Sequence, residues 1–249
     1  MRCWALASAV LVVFAACTGS DETSRGTSSE RRAGPGGLSS PSVAAPAPPT
    51  QPVTTTTVAP VFAGTVAAIG DAERARMTTS WRLGCPLPLE QLRILTLDHW
   101  GYDGLVHRGE LVVHGDYADA MVNAFRRLFE IRFPIERMQL VDEFGGDDFA
   151  STLANNTAAF NCRAVVGRPG SWSEHAFGRA IDVNPRVNPY VLEPRIQHPE
   201  LAPFLDRSRN DPGIIRAGDD VVQAFASVGW QWGGTWSSPD YQHFSATGR

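Results

Sequence analysis

The 249-residue sequence has no run of lysine or arginine, and its formal net charge is −4 with a pI of about 5.9. A basic footprint for phosphates is therefore missing, and nucleic acid is not expected as a partner. Nor does any apolar run reach the ~20 residues of a membrane-spanning helix. No segment repeats, and strand-like and helix-like stretches do not alternate in the βαβ rhythm of a parallel sheet. Cysteine is scarce, with four in the whole chain. What is present is a 43% hydrophobic composition, enough for one sizeable core.

The N-terminus is a separate matter. Residues 1–17 read MRCWALASAVLVVFAAC, with Arg2 as a positive start and Trp4–Ala16 as a short apolar stretch, the pattern of an export signal. Ala15 and Ala16 directly before Cys17 resemble a bacterial lipoprotein cleavage box, with Cys17 the lipidated residue; plain secretion is the alternative. Residues 18–62 are rich in Ser, Thr, Pro, Ala and Gly and are expected to form a disordered tether, since they cannot bury enough apolar surface to offset ordering. Stretched, that tether reaches at most ~150 Å. The expected location is the outer face of the cell membrane or envelope, reached through a lipid anchor only.

The folded domain is placed at 65–249. A short helix is expected within 66–80. Strands are expected at 90–100 and 105–114, joined by GYDG, with β-branched residues such as Ile94 and Val112. A helix from an Asp116 cap to about Ile131 follows from the spacing of Met121, Phe125, Leu128 and Phe129. Residues 137–141 read as a third short strand and 142–174 as loop-rich. GRAIDVN reads as a strand, and 219–229 as a helix capped by Asp219. The class is α+β: a small, mainly antiparallel sheet flanked by helices, with a metal site in a cleft over it. Once Cys3 and Cys17 are set aside, Cys85 and Cys162 form an even pair in an exported domain. A disulfide is expected between them, with two free thiols as the alternative.

The stretch SWSEHAFGRAIDVNP (171–185) places an ionisable Asp182 between apolar Ile181 and Val183. Alternation puts Ala180, Asp182 and Asn184 on one face of a strand and the two apolar residues on the other. A half-buried carboxylate needs a cation or it neutralises, and its strand face carries no Lys or Arg. A divalent metal answers this. Zn2+ takes nitrogen from His and oxygen from Asp, and catalytic sites keep three protein ligands and one open position. His175, folded back across Gly178, Asp182, and His243 from the distant DYQHFSA segment are the expected ligands. Asp240, three residues before His243, is then the carboxylate that takes a proton from the attacking water and hands it to the leaving amine. Arg163 in FNCR is the candidate cation for negative charge developing on the carbonyl. A domain without metal, with Asp182 paired to a distant arginine, is the competing reading. Trp236 faces either a peptide or glycan, or the core.

Two motifs sharpen this. Ser173, His175, Gly178, Ala180 and Asp182 fulfil S-x-H-x-x-G-x-A-x-D; Trp232, Gly233, Gly234, Trp236, Asp240 and His243 fulfil a Trp-Gly-Gly-x-Trp followed by Asp-x-x-His. Together they resemble the VanY-type D-alanyl-D-alanine carboxypeptidases and the related L-alanyl-D-glutamate endopeptidases, over about residues 133–249. The resemblance implies a zinc metallopeptidase of hedgehog-like fold acting on peptidoglycan stem peptides, with His175, Asp182 and His243 on zinc. Asp240 stands where the carboxypeptidases have Glu and the endopeptidase branch has Asp. Ser173 and Trp236 are expected to face substrate, and a monomer is expected. The alternative of another class is a non-catalytic, zinc-containing wall-binding or signalling module.

Overall fold

A computed structural model describes residues 59–192, 195–196 and 198–249. The expected signal, Cys17 and the tether up to residue 58 lie outside the described residues. Phe62 packs edge-on against Phe129, with ring centroids 5.7 Å apart.

The described chain is α+β, as expected, and its sheets are small and mostly antiparallel. Strand β1 (Gly64–Ala68) is followed by helix α1 (Asp71–Arg76) and by the long hairpin of β2 (Leu92–Trp100) and β3 (Val106–His114). These strands form one antiparallel sheet in the order β1-β2-β3. Helix α2 (Ala118–Glu130) comes next, then β4 (Arg137–Met138), α3 (Asp148–Leu153), β5 (Asn156–Thr157), β6 (Ala164–Val165), β7 (Arg168–Trp172) and β8 (Ala180–Asp182). Strands β9 (Val191–Leu192) and β10 (Arg195–Ile196) pair with each other. Helix α4 (Asp220–Ala226) and strands β11 (Gln231–Trp232) and β12 (His243–Ser245) complete the chain, and β11-β12-β8 form a second antiparallel sheet.

The β2–β3 hairpin is buried on both faces, and the two-residue period sorts its side chains between two cores. Leu95, Leu97, Leu111 and Val113 join the main core, together with Met121, Phe125 and Leu128 of α2, Phe225 of α4, and Ile181, Val183 and Phe244 of the second sheet. Leu92, Ile94 and Val112 point the other way, onto Met77, Leu87, Leu140, Phe160 and Cys162. The four apolar residues that predict α2 are all buried.

The smaller core is stapled. Cys85 and Cys162 form the expected disulfide, closing 77 residues of sequence separation. Loss of that constraint loosens the unfolded chain, so a Cys85→Ser/Cys162→Ser variant is expected to lose about 2–4 kcal/mol. Urea unfolding of the two proteins side by side measures it.

Three local expectations need correction. Asp116 does not cap α2: its backbone N–H donates to His114 Nδ1 at 3.0 Å, and a single 3-10 turn, Gly115–Tyr117, leads into the helix. The strand expected over 137–141 shrinks to Arg137–Met138, because a 3-10 turn begins at Val141. The passage 142–174 carries α3 and three short strands, with Asp147 capping α3 by accepting from Phe149 and Ala150 N–H.

Candidate metal centre

The second sheet brings the expected ligands together by register. β12 runs antiparallel to β8 with His243 directly opposite Asp182. Opposed residues share a face, so an imidazole from one strand and a carboxylate from the other meet above it. Ile181 and Val183 are fully buried on the opposite face, as the alternation predicts.

His175 arrives from a one-turn 3-10 helix, Glu174–Phe177, whose N-cap Ser173 accepts from His175 N–H at 3.4 Å. Gly178 ends the turn in the left-handed region at φ 61°, and its carbonyl accepts from His114 N–H at 2.8 Å. A Cβ there would lie 2.5 Å from that same backbone nitrogen, so both conformation and space require glycine. The chain folds back at this point and lays His175 over β8.

The resulting geometry is tight. His175 Nε2 lies 3.3 Å from His243 Nδ1. Asp182 Oδ2 is 3.2 Å from His175 Nε2, and Asp182 Oδ1 is 3.1 Å from His243 Nδ1. The remaining ring nitrogens are held from outside: His175 Nδ1 donates to Ala159 O at 2.6 Å, and His243 Nε2 to Arg249 O at 3.2 Å. Fixing the proton on the outer nitrogens turns the inner lone pairs toward one another, which is how metal-binding histidines are oriented. Three donors at zinc's ~2.0–2.1 Å around a tetrahedral ion are about 3.3 Å apart, so the spacing fits. Among the described residues no fourth His, Cys, Asp or Glu joins the group.

Electrostatics agree. Burial pushes the Asp182 carboxyl up, but His175 and His243 outweigh it and hold the pKa well below the usual carboxylate range. Burial likewise opposes charge on His175, and the Asp182 carboxylate overcomes it and raises the pKa. In both groups the attraction between carboxylate and imidazole, not burial, decides the direction.

Asp240 stands beside this group but outside it. It is 8% exposed, and its Oδ1 is buried without a hydrogen-bond partner among the described residues. Burial, and then the nearby Asp182 charge, push its pKa up to about 7, against the pull of His243 and Arg163. Its backbone is clamped on both sides: Asp240 N–H donates to Gly233 O at 3.1 Å, and an antiparallel bridge joins it to Tyr190. Tyr190 had no signal in the sequence beyond an ordinary aromatic.

The other expected site residues divide. Trp236 is half-buried, with its ring centroid 5.3 Å from that of His243, so it belongs to the site's wall. Ser173 is buried and its hydroxyl is used as the helix cap. Arg163 Nε is bound to Asp148 Oδ1 at 3.0 Å, which offsets part of its charge. That charge still bears on His175 and Asp240. A narrow cleft beside His175 and Asp182 is lined by Asp148, Ser151, Asn156 and Asn161.

No curated protein and no solved structure matches the chain. Residues 166–246, which contain His175, Asp182, Asp240 and His243, match the family model described as D-alanyl-D-alanine carboxypeptidase, and this match bears out the resemblance carried by the two motifs and supports a carboxypeptidase-like peptidase of the peptidoglycan-acting kind.

Proposed function

We propose that the domain is a zinc metallopeptidase that hydrolyses peptide bonds in peptidoglycan stem peptides. The observation that carries this reading is the convergence of two imidazoles and one carboxylate next to Asp240, whose buried Oδ1 has no hydrogen-bond partner among the described residues. His175, Asp182 and His243 would hold the ion, leaving one coordination position for water or substrate. A zinc ion there polarises a carbonyl and makes water acidic enough to be deprotonated near neutral pH.

The chain's own groups do the rest. Asp240, beside the metal donors but not one of them, takes the proton of the attacking water at its carboxylate and returns it to the nitrogen of the departing amine. Arg163 lends positive potential to a carbonyl oxygen that becomes anionic, weakened by its Asp148 partner. Trp236 supplies an apolar wall for the peptide chain. Ala159 O and Arg249 O keep the two imidazoles in the ligating tautomer.

The export signal, the lipid on Cys17 and a tether that ends before Phe62, which packs on the domain, complete the proposal: an anchored monomer working on wall peptides from the outer face of the membrane. No helix among the described residues is long and apolar enough to cross a membrane.

Incubating the purified, zinc-loaded protein with muropeptides and weighing the products by mass spectrometry tests this. Loss of a terminal D-alanine identifies a carboxypeptidase and an internal cut an endopeptidase, and chelation is expected to abolish either. Intact muropeptides after prolonged incubation would overturn the peptidase reading.

A further inference from the structure

The segment 158–162 runs along His175 and is pinned at every residue. Ala158 bridges to Asp182, and Ala159 O accepts from His175 Nδ1. Phe160 N–H donates to Val112 O at 3.0 Å, Asn161 N–H to His175 O at 3.2 Å, and Cys162 N–H to Ser80 O at 2.9 Å. The disulfide fixes Cys162 as well.

Within this strip the Asn161 carboxamide is left over. Asn161 is 8% exposed, and its Nδ2 is buried with no hydrogen-bond partner among the described residues. The nearby buried asparagines are treated differently. Asn155 Nδ2 donates to Tyr102 and Glu136, Asn156 Nδ2 to Gln139 O and Ser151, Asn184 Nδ2 to Pro134 O, and Asn188 Nδ2 to Val183 O. A buried donor without a partner costs the folded state its desolvation with nothing in return. Such a group calls for an explanation, and beside a cluster of metal donors a partner from outside the fold is one. Asn161 lines the same narrow cleft as His175 and Asp182, so its carboxamide sits on one wall with two of the metal donors. The one carboxylate on that wall outside the metal group, Asp148, is paired with Arg163.

We infer that Asn161 positions the substrate: its carboxamide donates to an oxygen of the bound peptide, either a backbone carbonyl or a C-terminal carboxylate, seated beside the three metal donors. This deepens the peptidase reading and rests on it. The backbone hydrogen bonds on both sides of Asn161 hold the donor in place before substrate arrives.

The test uses zinc-loaded, 15N-labelled protein carrying Asp240→Asn, so that bound peptide is retained. The Asn161 side-chain amide signals are identified by their loss in Asn161→Ala, and a pentapeptide ending in D-Ala-D-Ala is titrated in, followed by its C-terminal amide. The Asn161 signals are expected to shift together with the Trp236 indole. A shift that disappears with the amidated peptide assigns the carboxylate, and one that survives assigns a carbonyl. In the otherwise wild-type enzyme, Asn161→Ala is expected to lower kcat/KM by about 10- to 100-fold, mainly through KM. Zinc content and Tm should not fall, because no internal bond is lost. Trp236 moving while Asn161 stays still would overturn the inference and spare the peptidase reading, whereas no movement anywhere in the site would sink both. A lower Tm with unchanged kcat/KM would make Asn161 structural and also overturn it.

Discussion

Replacing Asp240 by asparagine is expected to lower kcat by about 10²–10⁴-fold while zinc content stays at the wild-type level. The side chain keeps its shape and loses only its capacity to take a proton. Asp240 is outside the group of metal donors, so the metal has no reason to leave. The same substitution has a second, opposite signature. The Asp240 pKa is 3.8 unperturbed and about 7 in the fold, chiefly because burial disfavours the charged carboxylate. A carboxyl with a raised folded pKa contributes stability that is complete below its unfolded pKa and lost as pH rises through the folded one. Metal-free wild-type protein is therefore expected to lose Tm between pH 3.8 and about 7, and Asp240→Asn to remove that part of the decline. Thermal melts of both proteins across that range check it. In the enzyme, the base must be ionised to work, so activity falls on the acid side. A cation on the neighbouring donors opposes burial and moves that limb below about 7.

The second large effect concerns the ligands. His243→Ala is expected to weaken zinc binding by more than the ~10–100-fold that loss of an outer-shell partner costs, and to abolish hydrolysis at ordinary zinc concentrations. Two donors cannot reproduce a three-ligand site, and Asp182 loses the imidazole held 3.1 Å from its Oδ1. Calorimetric zinc titration of chelator-treated wild type and variant measures this. Equal affinity in the two proteins would remove His243 from the site.

Much of this centre is legible in the sequence, for identifiable reasons. Asp182 between Ile181 and Val183 announces a charged residue on a buried strand, because side-chain direction alternates with a period of two. Gly178 is legible as a fold-back point because the left-handed conformation it adopts favours glycine. The pairing of His243 with Asp182 is different: it is a register between strands 61 residues apart, and only the folded sheet fixes it. The short helix expected within 66–80 is α1 (Asp71–Arg76), but strand β1 escapes notice because all five of its residues are exposed and no alternation marks them. The two-residue strands β4, β5 and β6 are held by tertiary neighbours and carry no pattern of their own. The Asp116 cap fails because a histidine nitrogen, not a carboxylate, takes up the free N–H at the start of the turn. Asn161 is one polar letter between Phe160 and Cys162, and it stands out only when the side-chain nitrogens of the nearby buried asparagines have been matched to partners.

X-ray absorption at the zinc edge of the purified, zinc-loaded protein addresses the metal centre most directly. The predicted spectrum is one zinc per chain with a shell of two imidazole nitrogens, one carboxylate oxygen and one further light atom from solvent at about 2.0–2.1 Å. A sulfur shell, four protein ligands, or failure to retain zinc would contradict the account.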